Sequence, residues 1–296
     1  MEASRRKFVQ LLGSSPLLFM PAVGFSLGEA NPEQNMTIQQ VIDLILKSVP
    51  GAPFPNSVDT IKAGDAKQKV TGIVTTMFAT VDVIRKTAAL GANFIIAHEP
   101  TFYTHPDETK WLEKDEIYQY KIALLNKLNI TIWRFHDHIH AHRPDGVLTG
   151  VLSALGWEKM ADSKIPNLIT LPASSLHRII ELVKKKLEIK HLRYIGDKNQ
   201  VCSRIVIMPG AVGVRTHIYS VGQQKPDLII CGEISEWETG EYIRDLQASG
   251  AKTSLIVLGH SVSEEPGMEW LLTWLKPQLP PIILTHIPSG DPFSWD

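Results

Sequence analysis

Residues 90–100 read Leu90-Gly91-Ala92-Asn93-Phe94-Ile95-Ile96-Ala97-His98-Glu99-Pro100. Gly91 is a natural stop for a helix, and the stretch before it, Val81 to Leu90, has helical character. Asn93 to Ala97 is a short apolar run bounded by turn residues, the pattern of a strand. It delivers an imidazole and a carboxylate, His98 and Glu99, at its carboxyl end. The neighbouring segments repeat the alternation. Val70 to Phe78 is a β-branched strand, Glu113 to Leu128 a helix with Ile117, Tyr120, Ile122 and Leu125 apolar, and Ile130 to Phe135 another strand. Upstream, Thr37 can cap a helix running to Val49, with Ile38, Val41, Ile42 and Ile45 on one face. Strands alternating with helices predict an α/β layered sheet.

The downstream half continues in the same style. Val147 to Leu155 is a helix closed by Gly156, and Ser174 to Leu187 is a helix begun by a serine cap. Leu168 to Leu171, Leu192 to Ile195, Arg204 to Met208, Leu228 to Cys231 and Ser254 to Leu258 are strand-like. Helices are expected over Glu238 to Ala248 and Gly267 to Leu275, and a last strand over Ile282 to Leu284. The polar segment Ala161 to Pro166 marks a boundary. The expected fold is α/β with two lobes, each a mixed sheet flanked by helices. Residues 31–160 form the first lobe, completed by 251–296, and residues 161–250 form the second.

The chain has 296 residues, a formal net charge of −1, 11 histidines and 2 cysteines. That charge excludes an electrostatic nucleic-acid binder, which is normally markedly basic. Two cysteines exclude a disulfide framework and a four-cysteine zinc site. Residues 1–30 have the layout of an export signal: a charged start, an apolar stretch from Leu11 to Leu27, and a small-residue end at Ala30. Gly13, Pro16 and Pro21 interrupt the apolar stretch too often for a good spanning helix, so no membrane attachment is expected after signal removal. Ser4-Arg5-Arg6-Lys7-Phe8 resembles the bacterial twin-arginine signal, which implies export of a folded protein to the periplasm or another extracytoplasmic space.

Histidines follow the apolar strands with unusual regularity. His98-Glu99 follows Ala97, His136-Asp137-His138-Ile139-His140 follows Phe135, His260 follows Leu258-Gly259, and His286 follows Thr285. Ligands of open α/β sheets gather outside the carboxyl ends of the strands. Imidazoles with carboxylates and no thiolate suit divalent Zn, Mn, Fe or Ni. His260 and Glu264 are four apart and share a face if the chain is helical there. In an extended run His136, His138 and His140 share one side, with Asp137 turned away to support a ligand from behind. The alternative for this cluster is a solvated polar loop.

Together these motifs resemble the NIF-three-like dinuclear-metal proteins, often labelled GTP cyclohydrolase type 2 homologues. The resemblance spans roughly residues 37–280 and is carried by Leu90 to Pro100, by His136 to His140 with Gly146-Val147, and by Gly259-His260-Ser261-Val262-Ser263-Glu264-Glu265-Pro266-Gly267. It implies that His98, His260 and Glu264 are metal ligands and that His136 matches a family histidine. Two positions depart: Glu99 stands where the family has a second histidine, and His140 where it has an aspartate. The inventory of imidazoles and carboxylates is unchanged by the exchange. The expected metal set is therefore His98, Glu99, His136, His140, His260 and Glu264, holding two divalent ions in the cleft between or beside the lobes.

A two-metal site can activate water. The leading expectation is a metal-dependent hydrolase acting on a small molecule, cyclohydrolase-like by resemblance, with Glu265, Glu233 and Asp137 as candidate general bases. The alternative is a metal-binding assembly or metal-delivery protein without turnover. The resemblance also implies a homo-hexamer.

Overall fold

Ile38, Val41, Ile42 and Ile45 are all buried along one face of α1 (Ile38–Lys47), which begins with a reciprocal capping box between Thr37 and Gln40. The computed structural model describes residues 36–279 and 281–295. The export signal expected over residues 1–30 lies outside them.

After α1 the chain forms β1 (Ile61–Ala63), β2 (Gly72–Thr76), α2 (Val81–Ala89), β3 (Phe94–Ala97), α3 (Glu116–Leu128), β4 (Thr131–Arg134), α4 (Asp137–Ala141) and α5 (Gly146–Leu155). It continues through β5 (Leu168–Ser175), α6 (Leu176–Lys186), β6 (Arg193–Ile195), β7 (Val201–Met208), α7 (Val214–Gln224), β8 (Leu228–Cys231), α8 (Glu241–Ala248), β9 (Ser254–Val257), α9 (His260–Leu275) and β10 (Ile283–His286).

Two mixed sheets result, each flanked by helices. The first has the order β1-β4-β3-β2-β10, parallel except for β1. The second has the order β5-β7-β8-β9-β6, with a parallel centre and antiparallel edges. Strands β2, β3, β4, β8 and β9 are buried at every residue, which explains their continuous apolar runs. Successive side chains face opposite sides: Ile73, Phe94 and Ile96 pack toward α1 and α9, and Val74, Ile95 and Ile132 toward α2 and α3. Cys202 and Cys231 are buried free thiols in the second sheet, and burial pushes them up to about 11 and 12.

Several expectations are corrected. The boundary placed at 250/251 precedes β9, yet β9 pairs with β8 and β6 in the second sheet. The chain returns to the first sheet only through α9. That helix begins at His260 and continues through Pro266, rather than starting at Gly267. The histidine run after β4 is not extended: residues 137–141 are helical. Helix α7 escapes periodicity because its buried face is His217, Ser220 and Val221, two of them polar. Among the described residues no helix is long and apolar enough to cross a membrane.

The crossing of α5 and α9 positions the site. A Cβ on Gly150 would collide with the Pro266 carbonyl, and one on Gly267 would come within 2.7 Å of Val147 Cα. Glycine at both points lets the two helices approach at backbone distance. His260 and Glu264 on α9 are thereby set opposite the α4–α5 corner that carries His136 and His140.

Candidate metal centre

Parallel pairing aligns Ala97 of β3 with Arg134 of β4, so His98 and His136 emerge at one sheet edge. Their rings stack with centroids 4.7 Å apart. His98 is fully buried. Its Nδ1 lies 3.1 Å from the Phe135 carbonyl oxygen. A carbonyl only accepts, so Nδ1 carries the hydrogen and Nε2 is the outward nitrogen. The other three imidazoles have the same arrangement. His136 Nδ1 is 3.0 Å from Asp137 Oδ1, His140 Nδ1 is 3.1 Å from Asp145 Oδ2, and His260 Nδ1 is 3.1 Å from Glu233 Oε2.

The four Nε2 atoms converge on two carboxylates. His98 Nε2 is 3.4 Å from Glu264 Oε2, and His260 Nε2 is 3.1 Å from both Glu264 Oε2 and Glu99 Oε1. His136 Nε2 is 3.5 Å from Glu99 Oε1, and His140 Nε2 is 4.0 Å from Glu264 Oε1. Buried His98 Nε2 and Glu264 Oε2 have no partner in hydrogen-bond geometry despite their proximity. Three overlapping groups have ligand atoms within 4.8 Å of one another: His98/His136/His140, Glu99/His105/His136 and His98/Glu99/Glu264. An unpaired buried imidazole nitrogen beside an unpaired buried carboxylate oxygen fits a divalent cation of the Zn, Mn, Fe or Ni kind.

The two carboxylates dominate the electrostatics of the cluster. Burial opposes charge on His260, but hydrogen bonds to Glu264 and Glu99 outweigh it and raise its pKa to about 11. Burial and the neighbouring His98 push His136 down to about 4, which keeps it neutral at pH 7. Burial also opposes charge on Glu264, but His98 and His260 hold its carboxyl well below the usual range. Two carboxylates this close call for positive charge, which protons or a metal ion can supply.

Local chemistry explains why the residues sit here. Asp59 Oδ1 accepts from the backbone N–H of His136 and Asp137, and Oδ2 from that of His138. This caps α4 and turns the histidine run into a helix, so His136 and His140, four apart, face the cluster. His138 faces away. Its Nδ1 is 2.6 Å from Asp59 Oδ2, its Nε2 accepts from Phe54 N–H, and its ring stacks on Phe54. Gly210, with φ +68°, sits so close to Glu264 that a Cβ there would strike Oε1. Ser263 Oγ accepts from Gly210 N–H and donates to the His260 carbonyl, tying the loop after β7 to the start of α9.

All six expected metal residues are thus brought together. They line a cavity of about 510 Å³ that also meets His105, except for His98, which lies behind it. The three candidate bases do not line this cavity. Asp137 and Glu233 instead hold the Nδ1 atoms of His136 and His260. Burial opposes charge on Asp137, but hydrogen bonds from His136, Ser57 and Val58 lower it to about 2. Glu265 is directed to His286, with Oε1 3.1 Å from its Nε2, and to Ser261 and Ser289. His286 Nδ1 is 3.1 Å from Thr75 Oγ1, so His286 joins this separate pair and not the cluster.

Sequence reasoning did not find Asp59, Asp145, His105 or Arg134. Arg134 lies in an apolar strand and is fully buried. Its Nε donates to the His98 carbonyl, Nη1 to the His105 carbonyl and Nη2 to Glu99 Oε2.

A two-sheet α/β chain with His/Glu groups converging at its strand ends is a candidate metalloprotein. The Duf34/NIF3 (NGG1p interacting factor 3) family model matches residues 36–288, and the chain belongs to that family. It is 26% identical over 216 residues to a GTP cyclohydrolase 1 type 2 homolog of Clostridium perfringens, covering 70% of this chain and 78% of the relative. An Escherichia coli K12 protein with the same description is 25% identical over 248 residues, 82% of this chain and 93% of the relative. The crystal structure of the Staphylococcus aureus hypothetical protein SA1388 shares the fold. Its TM-score is 0.69 at 19% identity, covering 88% of this chain and 100% of that one.

Proposed function

We propose that this chain is a metal-dependent hydrolase in which His98, Glu99, His136, His140, His260 and Glu264 hold two divalent ions. One observation carries the reading: four imidazoles have Nδ1 engaged by an acceptor and Nε2 directed at Glu99 or Glu264. Supporting acceptors of this kind orient metal-binding histidines. When bound, such ions lower the pKa of water and polarise the bond under attack. The chain's own residues orient the donors, and the 510 Å³ cavity admits a small substrate. The description of its relatives as GTP cyclohydrolase homologues supports a ring-opening hydrolysis as one form of that chemistry. We further read residues 1–30 as a twin-arginine export signal, which puts the mature chain outside the cytoplasm, and the assembly as a homo-hexamer.

A specific observation favours a second reading, metal binding or delivery without turnover. Asp137, Glu233 and Glu265 are each engaged by an imidazole, and none lines the cavity as a free base.

The test is elemental analysis of the purified full chain, then a hydrolysis screen over nucleotides, phosphoesters, amides and lactones. Stoichiometric metal that is lost in His98→Ala and His260→Ala is expected, with activity that disappears in Glu264→Ala. Substoichiometric metal, unchanged in these variants, overturns the metal centre. A fully metallated, inactive chain favours the second reading.

A further inference from the structure

His140, Pro209 and Val212 belong to two cavities at once. One is the 510 Å³ cavity at the His/Glu cluster; the other is a cavity of about 720 Å³. The larger one lies between α5 and the end of β7, and its walls include Leu148, Leu152, Ile207, Met208 and Val212. Its size is that of a small-molecule site. His140 stands at the junction, with Nε2 toward Glu264 and Nδ1 held by Asp145.

The charges around the larger cavity restrict what it can hold. Arg143 is the one cation among its lining residues, against Asp145 and Glu158. Arg143 Nη1 is turned to the carbonyls of His140 and His142. A triphosphate carries several negative charges and calls for several cations, whereas these walls offer one guanidinium, already turned to backbone carbonyls and set against two carboxylates. An apolar body meets no such penalty, because the aliphatic walls remove it from water.

The geometry points to a substrate that is an uncharged, apolar carboxylic acid derivative. Its hydrocarbon part occupies the 720 Å³ cavity and its carbonyl reaches past His140 to the cluster. This rests on reading the cluster as a metal centre. Hydrolysis consumes one water: its oxygen bonds to the acyl carbon, the carbon–oxygen or carbon–nitrogen bond breaks, and the leaving atom takes a proton. A nucleoside triphosphate is disfavoured as the substrate of this chain.

The probes are aceto-, butano-, hexano- and octanohydroxamate, titrated calorimetrically into the full chain, once loaded with zinc and once stripped with a chelator. Affinity is expected to rise roughly threefold to fourfold per methylene in both forms, with a constant further gain only in the zinc form. Val212→Asp, at a position 40% exposed and so compatible with folding, is expected to flatten the series. Affinity independent of chain length, a slope unchanged in Val212→Asp, or GTP binding tighter than octanohydroxamate overturns the inference. A slope without any zinc effect means that the head group does not reach the cluster and overturns the inference; a chain that takes up no zinc overturns the metal reading instead.

Discussion

Glu99 and Arg134 form a buried pair in which Arg134 Nη2 donates to Glu99 Oε2 at 3.2 Å, leaving Glu99 Oε1 facing His260 and His136. The pair makes the glutamate directional. One oxygen is held by a permanent cation, and the other is presented to the cluster. Arg134 also holds the His98 and His105 carbonyls, so one side chain braces the strand end and the loop behind it.

Removing the guanidinium leaves a buried carboxylate and two carbonyls without their donor. Arg134→Met is expected to lower unfolding free energy by about 3–5 kcal/mol, read from urea denaturation. An effect under 1 kcal/mol would show that the pair contributes little.

Glu233 separates support from catalysis. Its side chain is about half exposed, at 52%, and its Oε2 lies 3.1 Å from His260 Nδ1. Glu233→Ala is therefore expected to weaken metal affinity roughly 10- to 100-fold with little change in stability, measured by chelator competition. If metal affinity stays the same while turnover collapses, Glu233 is a base and not a support.

Gly210 tests the packing against Glu264. Gly210→Ala would force a Cβ into Oε1 and strain a backbone at φ +68°. The expected result is a folded chain by circular dichroism with reduced metal content. Full metal content would show that the carboxylate can shift without leaving the cluster.

Lys121 provides a pH test away from the cluster. Burial lowers its pKa to about 8 from 10.5, partly offset by Asp107, while Nζ donates to the Thr101 carbonyl at 2.7 Å. Below pH 8 the lysine is charged in both states and its burial cost is complete. Between about pH 8 and 10.5 the folded chain releases the proton and the unfolded chain keeps it, so stability rises with pH. Relative to Lys121→Met, the unmutated chain is expected to gain roughly 3 kcal/mol across that window. Denaturation midpoints at pH 7 and 10.5 that move in parallel would contradict this.

Much of the fold was legible from short-range pattern. β3 and β8 are continuous apolar runs because both faces are covered, and α1 shows its buried stripe in four residues. The spacing of His260 and Glu264 allowed a shared helical face, but the helix was expected to start only at Gly267, and its start at His260 is what pairs them. His140 was singled out, but for the wrong local conformation. The helix that turns it toward His98 depends on Asp59, which lies 77 positions before His136. Arg134 was hidden for a related reason: a charged residue in a buried strand is stable only with partners that sequence spacing does not display.

What the amino-acid order determined by itself was local: which segments are strands and helices, where imidazoles and carboxylates follow strand ends, and which donor types are present. Hydrophobic period and chain punctuation act within a turn or two, so they can be read along the chain. Tertiary structure decided which nitrogen of each histidine faces inward, that Asp137 and Glu233 hold imidazoles rather than line the cavity, and that two cavities meet at His140. Those outcomes depend on the parallel register of β3 and β4 and on the close crossing of α5 and α9, which brings Gly150 against Pro266, more than a hundred positions away.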